Sequence, residues 1–283
     1  MSILSVQSSV AYGQVGNAAA VFALRRLGHE VWPIDTVRYS NHPGHGRFRG
    51  RKVSPEEIGE LVLGLAELGV LGRTRAVLSG YLGAAATGAV LLDAVARVRA
   101  AHPDALFLCD PVLGDRDRGI YGSGDLVDFF RTAALPAAHI LAPNHFELEL
   151  LAGRPLPTIT EVLAVADGLA ARGPSIIVVT SFAGEGSGSD HLATLARSDE
   201  GVWRVVTPRL AHAARGAGDL FAALLLAHRL DGQPVADALT RAVASVFAVI
   251  EATAAVGAKE LRLVETQQAL IDPPASFAVE RIR

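Results

Sequence analysis

Two glycines one residue apart, Gly216 and Gly218, stand directly before an acid, Asp219, and an apolar run from Leu220 to Ala227 follows. Glycine lets the backbone turn sharply with its N–H groups facing outward, and a helix beginning there adds the positive end of its dipole. Gly216, Ala217 and Gly218 would therefore suit a phosphate or an oxyanion. Asp219 beside them could orient or deprotonate a hydroxyl. A glycine turn with an aspartate cap before a buried helix accounts for the same residues, so this stretch alone leaves both open. Other polar groups fall where apolar runs end: Gln7-Ser8, Ser79-Gly80-Tyr81, Asp110, Asn144 with Glu147, and Thr180-Ser181. Asp110 and Glu147 could hold a divalent ion through oxygen or water. A turn before Pro111 and an acid in a first helical turn are the plainer alternatives for these two. Asn144 could simply cap that helix, and Ser8 and Tyr81 could be loop residues.

The elements that must carry these groups alternate along the chain. Ile3 to Val6 reads as a strand, followed by a polar loop (Gln7 to Ser9, Tyr12 to Gln14). Asn17 to Leu27 reads as a helix ended by Gly28, and Val31 to Val37 as a second strand. Arg38 to Val53 breaks the alternation and suggests two short strands or a flap, with Tyr39 and Phe48 among polar residues. Ser54-Pro55-Glu56-Glu57 is a strong helix start, and that helix runs to about Leu68. Strands follow at Ala76–Leu78, Ala105–Cys109, His139–Ala142 and Ser175–Val179. Helices are expected over Ala84–Ala101, Leu126–Thr132, Phe146–Leu151 and Ile159–Ala171. A loose loop around Asp115, Asp117 and Tyr121, a turn from Gly184 to Ser189, and an edge hairpin (Leu192–Ala196, Trp203–Val206) complete the middle. The helix after the glycines reaches about Leu230. Val235–Ala255 is a long helix, Val256–Leu270 a loop and a final helix, and Arg281–Arg283 a loose end. Helices that follow most strands build a parallel sheet covered on both faces. The expected fold is a three-layer α/β/α with a mostly parallel central sheet, and residues 1–283 form a single domain. The polar strand ends then gather at one edge, where such sheets bind ligands.

Composition narrows the function. The 283 residues carry 26 basic and 29 acidic side chains, a net charge of -3, which lacks the basic excess of a general nucleic-acid binder. Mean hydropathy is +0.32, but the apolar stretches look short and interrupted, so no membrane span is expected. Met1 to Val6 has no charged leader and reads as a strand. The one cysteine, Cys109, excludes an intrachain disulfide framework, reads as a buried strand residue, and points to a reducing cytoplasm. His42 and His45 lack a third partner at zinc spacing. There is no GxxxxGK[ST] loop and no early GxGxxG.

Taken in order, Val6-Gln7-Ser8 with Tyr12-Gly13 and Gly16-Asn17, Thr36-Val37 with Ser40-Asn41-His42, Ser79-Gly80-Tyr81-Leu82-Gly83, Cys109-Asp110-Pro111-Val112, Ala142-Pro143-Asn144 with Glu147, and Gly216-Ala217-Gly218-Asp219 resemble the bacterial pyridoxal kinases of the ribokinase-like superfamily. The resemblance implies ATP-dependent phosphorylation of the 5'-hydroxymethyl group of pyridoxal, with magnesium, an open question of a monovalent cation, and a homodimer. By resemblance, Ser8 contacts the vitamin ring. The loop after Val37, with Pro43 and Gly44, lies over it, and Tyr81 lines the pocket. Asp219 is the base, and Gly216, Ala217 and Gly218 are the anion hole. Asp110 and Glu147 serve ATP through magnesium and water. Ala142, Asn144, Thr180, Ser181 and the segment Thr207, Pro208, Arg209, Leu210 match positions that flank the nucleotide. Asp219 at a helix start is expected to keep a low pKa.

Two departures stand out. Pro43 replaces the threonine of the family's Ser-Asn-His-Thr flap, removing a hydroxyl and a backbone N–H. The run Ala211-His212-Ala213-Ala214-Arg215 is about three residues shorter than in relatives and lacks their proline, leaving Arg215 either to meet a phosphate or to stay solvated. A hydroxymethylpyrimidine kinase shares the fold and the Gly-Ala-Gly-Asp, although the Ser-Asn-His and Ser-Gly-Tyr-Leu-Gly pieces oppose it. A non-catalytic vitamin-binding protein would keep the pocket without productive ATP geometry.

Overall fold

The structure, a computed structural model, describes residues 2–121, 124–185, 190–211 and 215–283. In chain order the elements are β1 (Ser2–Tyr12), α1 (Asn17–Arg26), β2 (Glu30–Asn41), β3 (Gly50–Lys52), α2 (Pro55–Glu67), β4 (Thr74–Ser79), α3 (Ala85–Ala101) and β5 (Leu106–Cys109). Then come β6 (Gly114–Asp115), β7 (Gly119–Ile120), α4 (Gly124–Phe129), α5 (Leu135–Ala137), β8 (Ile140–Leu141), α6 (His145–Ala152), α7 (Ile159–Ala170) and β9 (Ile176–Phe182). β10 (His191–Ser198), β11 (Gly201–Pro208), α8 (Ala217–Leu230), α9 (Val235–Ala255) and β12 (Val279–Arg281) follow.

One ten-stranded sheet runs β12-β11-β10-β9-β8-β5-β4-β1-β2-β3. Its six central strands, β9 to β2, are parallel, and antiparallel strands finish both edges. Both faces are covered, which is why β5, β8 and the first four residues of β9 are continuous apolar runs instead of alternating with polar residues. Along β9, Ile177 and Val179 pack with α2, α3, α6 and α7, while Ile176 and Val178 pack with α1, α8 and α9. The three-layer α/β/α arrangement expected from the sequence is thus present.

Local rules explain several helix starts. Ser54 Oγ accepts from the Glu57 N–H ahead of Pro55, and Asn144 with Glu147 closes a reciprocal capping box on α6. α8 is buried around nearly its whole circumference from Leu220 to His228, so it is a central pillar instead of a surface helix.

Several expected boundaries are corrected. β1 does not stop at Val6 but stays extended to Tyr12, because β2 pairs with it as far as Tyr12 opposite Asn41. The segment around Asp115 is no loose loop: Asp115 Oδ1 accepts from the N–H groups of Asp117 and Arg118 and pins the β6–β7 hairpin. Thr180 and Ser181 lie within β9 instead of ending it. The helix expected at Leu126–Thr132 ends at Phe129 and passes into a π-type turn, Phe130–Ala134. The final helix shrinks to a 3-10 turn at Gln267–Leu270, since the preceding segment is drawn out to bridge Arg215 through Glu260. The tail is not loose: β12 pairs with β11, and the Val202 N–H donates to the Arg283 carbonyl at 2.9 Å. The β10–β11 hairpin is therefore not the sheet edge. Of the turn expected at Gly184–Ser189, residues 186–189 lie outside the described residues, as do His212, Ala213 and Ala214 of the shortened run.

Contrary to the expectation of no spanning stretch, one helix among the described residues, α9, is long and apolar enough to cross a membrane; 56% of its apolar window is buried within the protein, as in a core helix.

Candidate active site

A cavity of about 940 Å³ opens at the carboxyl ends of the parallel strands, and every site residue named from the sequence lines it. The structure brings together Ser8, Val37, Pro43, Gly44 and Tyr81 at one end, Asp110, Ala142, Asn144, Glu147 and the glycine turn in the middle, and Thr180, Ser181 and Thr207–Leu210 at the other.

The first end is built on a bulge. Gln7 pairs with Asp35 and Ser9 with Arg38, so Thr36 and Val37 both stand opposite Ser8. Asn17 fixes this irregularity: its Nδ2 donates to Asp35 Oδ1 at 2.9 Å, and its Oδ1 accepts from Ser5 Oγ at 2.8 Å. Thr36 Oγ1 donates to the Tyr81 carbonyl at 2.6 Å, tying the loop after β4 to β2. Burial, with Tyr39 nearby, pushes the Tyr81 phenol up. The expected flap is the β2–β3 hairpin, where Tyr39 and Phe48 pack with ring centroids 4.7 Å apart. At its tip Pro43 opens a 3-10 turn, a position that needs no N–H donor. The Gly44 N–H donates to His42 Nδ1 at 3.0 Å. Burial first, then Arg215 and Arg118, lowers His42 to about 4, which keeps that nitrogen an acceptor at neutral pH.

In the middle, Gly216 caps α8 with φ +88 and its Cα faces the Gln14 carbonyl so closely that a Cβ would run into it. Gly218 is different: a Cβ there would meet nothing within 4 Å. The first intrahelical bond is Leu220 N–H to the Gly216 carbonyl at 2.9 Å, so the N–H groups of residues 217–219 have no acceptor within the helix. Asp219 sits in that first turn and accepts from the Gly16 N–H. Burial nevertheless pushes its carboxyl up to about 6. The low pKa expected from the helix start is thus overturned: desolvation outweighs the dipole and the single hydrogen bond.

Asp110 is 5% exposed and Glu147 4%. Glu147 Oε2 accepts from the Asn144 N–H at 2.8 Å, and Oε1 from Leu113 N–H at 3.0 Å and Gly114 N–H at 3.4 Å. Burial raises Glu147 to about 8 in spite of these bonds. Asp110 is raised by burial and then by the charges of Glu147 and Asp219. Three mutually repelling acids at one cavity wall call for a cation. Among the described residues no three His, Cys, Asp or Glu side chains are grouped to hold a metal by themselves. The fit is therefore to magnesium, which takes one or two carboxylates and fills its shell with water and phosphate. Asp110 is the better placed acid, because three N–H donors already occupy Glu147. Cys109 is buried, and burial pushes its thiol up.

The far end has a second bulge. Val179 pairs with Leu195 and Phe182 with Ala193, leaving Thr180 and Ser181 opposite Thr194. Ser181 has φ +58, the one non-glycine residue with positive φ among those described. α9 adds an apolar wall of Val243, Val246, Phe247 and Ile250. Sequence reasoning missed this wall because any core helix shows the same spacing. It also missed Glu260, whose contacts are with residues far away in the chain. Arg215 is not simply solvated: its side chain is 16% exposed, its Nη2 donates to the Gly44 carbonyl at 2.7 Å, and it lines the cavity.

The Phosphomethylpyrimidine kinase family model matches residues 73–263. The chain is 47% identical over 283 residues to pyridoxal kinase PdxY of Rubrobacter xylanophilus, covering 100% of this chain and 98% of that one. It is 44% identical to pyridoxal kinase PdxY of Leifsonia xyli, with 100% of both chains covered. Among solved structures, pyridoxal kinase from Leishmania donovani in complex with ADP and pyridoxine superposes with a TM-score of 0.92 at 30% identity, over 100% of this chain and 99% of that one. Pyridoxal kinase from Trypanosoma brucei gives 0.88 at 31% identity, over 99% of each. Full-length identity to the PdxY relatives is more specific than the broader family match, and the chain belongs to the pyridoxal kinases.

Proposed function

We propose that the cavity transfers the γ-phosphoryl group of ATP to the 5'-hydroxymethyl oxygen of pyridoxal, giving pyridoxal 5'-phosphate and ADP. The observation that carries this is the place of Asp219: at the start of α8, beside N–H groups that have no acceptor within the helix, on one cavity with a flap at one end and the exposed residues Ser181, Pro208 and Arg209 at the other. The vitamin lies between Ser8, Val37 and Tyr81 under Pro43 and Gly44. The nucleotide runs along Ala142, Asn144, Thr180, Ser181 and Thr207–Leu210. Asp219 takes the hydroxyl proton as the oxygen bonds to the γ-phosphorus and the bond to the β,γ-bridging oxygen breaks. A carboxyl near 6 is poised for this at neutral pH, ionised yet more basic than a surface aspartate. The N–H groups of Ala217 and Gly218 meet the charge on the phosphoryl oxygens. Asp110, with Glu147 behind it, would hold magnesium, which would supply charge neutralisation on the phosphates.

The sheet that runs from Ser2 to Arg281 supports a single kinase domain. The family resemblance supports a homodimer, and the lone buried cysteine a reducing cytoplasm. The test is an assay with magnesium and ATP that follows ADP and phosphorylated product for pyridoxal, pyridoxine, pyridoxamine and hydroxymethylpyrimidine. Pyridoxal is expected to turn over well and hydroxymethylpyrimidine poorly. The reverse order, or ATP hydrolysis without phosphorylated vitamin, would overturn the assignment.

A further inference from the structure

Glu260 lies in the segment after α9, does not line the cavity, and is 11% exposed at its side chain. Its two carboxylate oxygens are divided between separate parts of the site. Oε1 accepts from His45 Nε2 in the flap at 2.6 Å. Oε2 accepts from the Gln14 N–H in the loop after β1 at 3.1 Å. Arg215, one residue before the glycine turn, bridges to Glu260 through the backbone, and its Nη1 lies 3.9 Å from Oε1. The circle closes at the flap tip, where Arg215 Nη2 donates to the Gly44 carbonyl.

The packing around this circle leaves little slack. A Cβ on Gly13 would strike Glu260 Oε2, one on Gly44 would strike the Arg215 guanidinium, and one on Gly216 would strike the Gln14 carbonyl. The Gln14 segment continues to Gly16, whose N–H donates to Asp219. One carboxylate thus holds the lid of the first end, the back wall of the glycine turn, and the residue leading into that turn.

We propose that Glu260 is a positioning residue that makes the flap over the vitamin and the glycine turn over the phosphate close as one unit, so that binding of each substrate strengthens binding of the other. The coupling is reciprocal by thermodynamic linkage. It rests on the assignment of the two ends to vitamin and nucleotide. Sequence separation hid the clasp: His45 and Glu260 are 215 positions apart.

The experiment measures pyridoxal affinity by titration with and without a saturating non-hydrolysable ATP analogue, in the parent, Glu260→Ala and His45→Phe, alongside steady-state kinetics and Tm. The His45 variant cuts only the flap arm at a partly exposed side chain, so it reports even if Glu260→Ala folds poorly. In the parent the analogue is expected to tighten pyridoxal binding about five-fold or more, a usual size for coupling between sites. Both variants are expected to lose that factor. KM for pyridoxal should rise about ten-fold, the loss of one charge-assisted hydrogen bond, while kcat changes less than KM. The double variant should be no worse than the more severe single one. An unchanged coupling factor in His45→Phe, or a lowered Tm with normal KM and coupling, would overturn the clasp while leaving the kinase assignment intact. A parent that neither binds nor phosphorylates pyridoxal would overturn both.

Discussion

The two ends of the cavity use the same device in opposite settings. At the flap end a bulge interrupts the parallel pair β1–β2, and Ser8 and Val37 on its floor are buried. At the far end a bulge interrupts the antiparallel pair β9–β10, and Ser181, Pro208 and Arg209 are exposed. The first is braced by Asn17 and closed by the flap. The second is a rim. A small ring that must be chosen by shape suits the enclosed end, and a long, charged nucleotide suits the open one. α8 stands between them, so its first turn is where the two ligands must meet.

The largest expected effect is at that meeting point. Asp219→Asn should lower kcat by about 10²–10⁴ with KM values little changed, the range for a lost general base. The same variant should have a Tm at or above the parent's at pH 8. The folded carboxyl is raised to about 6 from 3.8, so its ionised form costs stability above that value. The cost shrinks as pH falls through 6 and is absent below 3.8, where the advantage of the variant should vanish. Thermal melts at pH 8 and pH 3.5 check the sign.

Next come the two glycines, which the sequence presents as equivalent. Gly216→Ala should lower Tm and abolish turnover, because φ +88 and the Gln14 carbonyl both exclude a Cβ. Gly218→Ala should fold normally, since its Cβ points into open space, yet raise KM for ATP by about ten-fold where phosphate must approach. Equal Tm losses in the two would blur the distinction between a structural glycine and a ligand-facing one.

Smaller effects separate the two ends. Pro43→Thr should change the ranking of pyridoxal, pyridoxine and pyridoxamine more than it changes KM for ATP, because it reaches the other end only through the Gly44–Arg215 contact. Ser181→Gly should act the opposite way, altering KM for ATP more than the vitamer ranking. It should also gain up to about 1 kcal/mol in stability by relieving a positive φ. A larger vitamer effect than ATP effect at Ser181, or the reverse at Pro43, would contradict the assignment of the two ends.

What could be read from the sequence follows from how locally each feature is determined. Ser54, Asn144 and Thr158 cap their helices through residues three positions on, and α9 begins and ends where its periodic pattern does. The polar strand ends gathered at one cavity because a parallel sheet puts all such ends on one side. Features set by distant partners were not legible. β12 exists because β11 offers an edge, and the β1 tail is a strand because β2 follows it. The pKa of Asp219 depends on how much protein surrounds it, which neighbouring residues do not reveal. Glu260 looked like any loop acid until the fold delivered His45, Gln14 and Arg215 to it.

The most direct test of the account is the pH dependence of kcat/KM for pyridoxal between pH 5 and pH 8, taken as the ratio of parent to Asp219→Asn so that ionisation of the substrate cancels. A buried base near 6 predicts a ratio that is high and flat above about pH 7 and falls toward ten-fold per unit below about pH 6. A ratio near one throughout, or one that stays high and flat to pH 5, would contradict the assignment of Asp219 as a base tuned by burial.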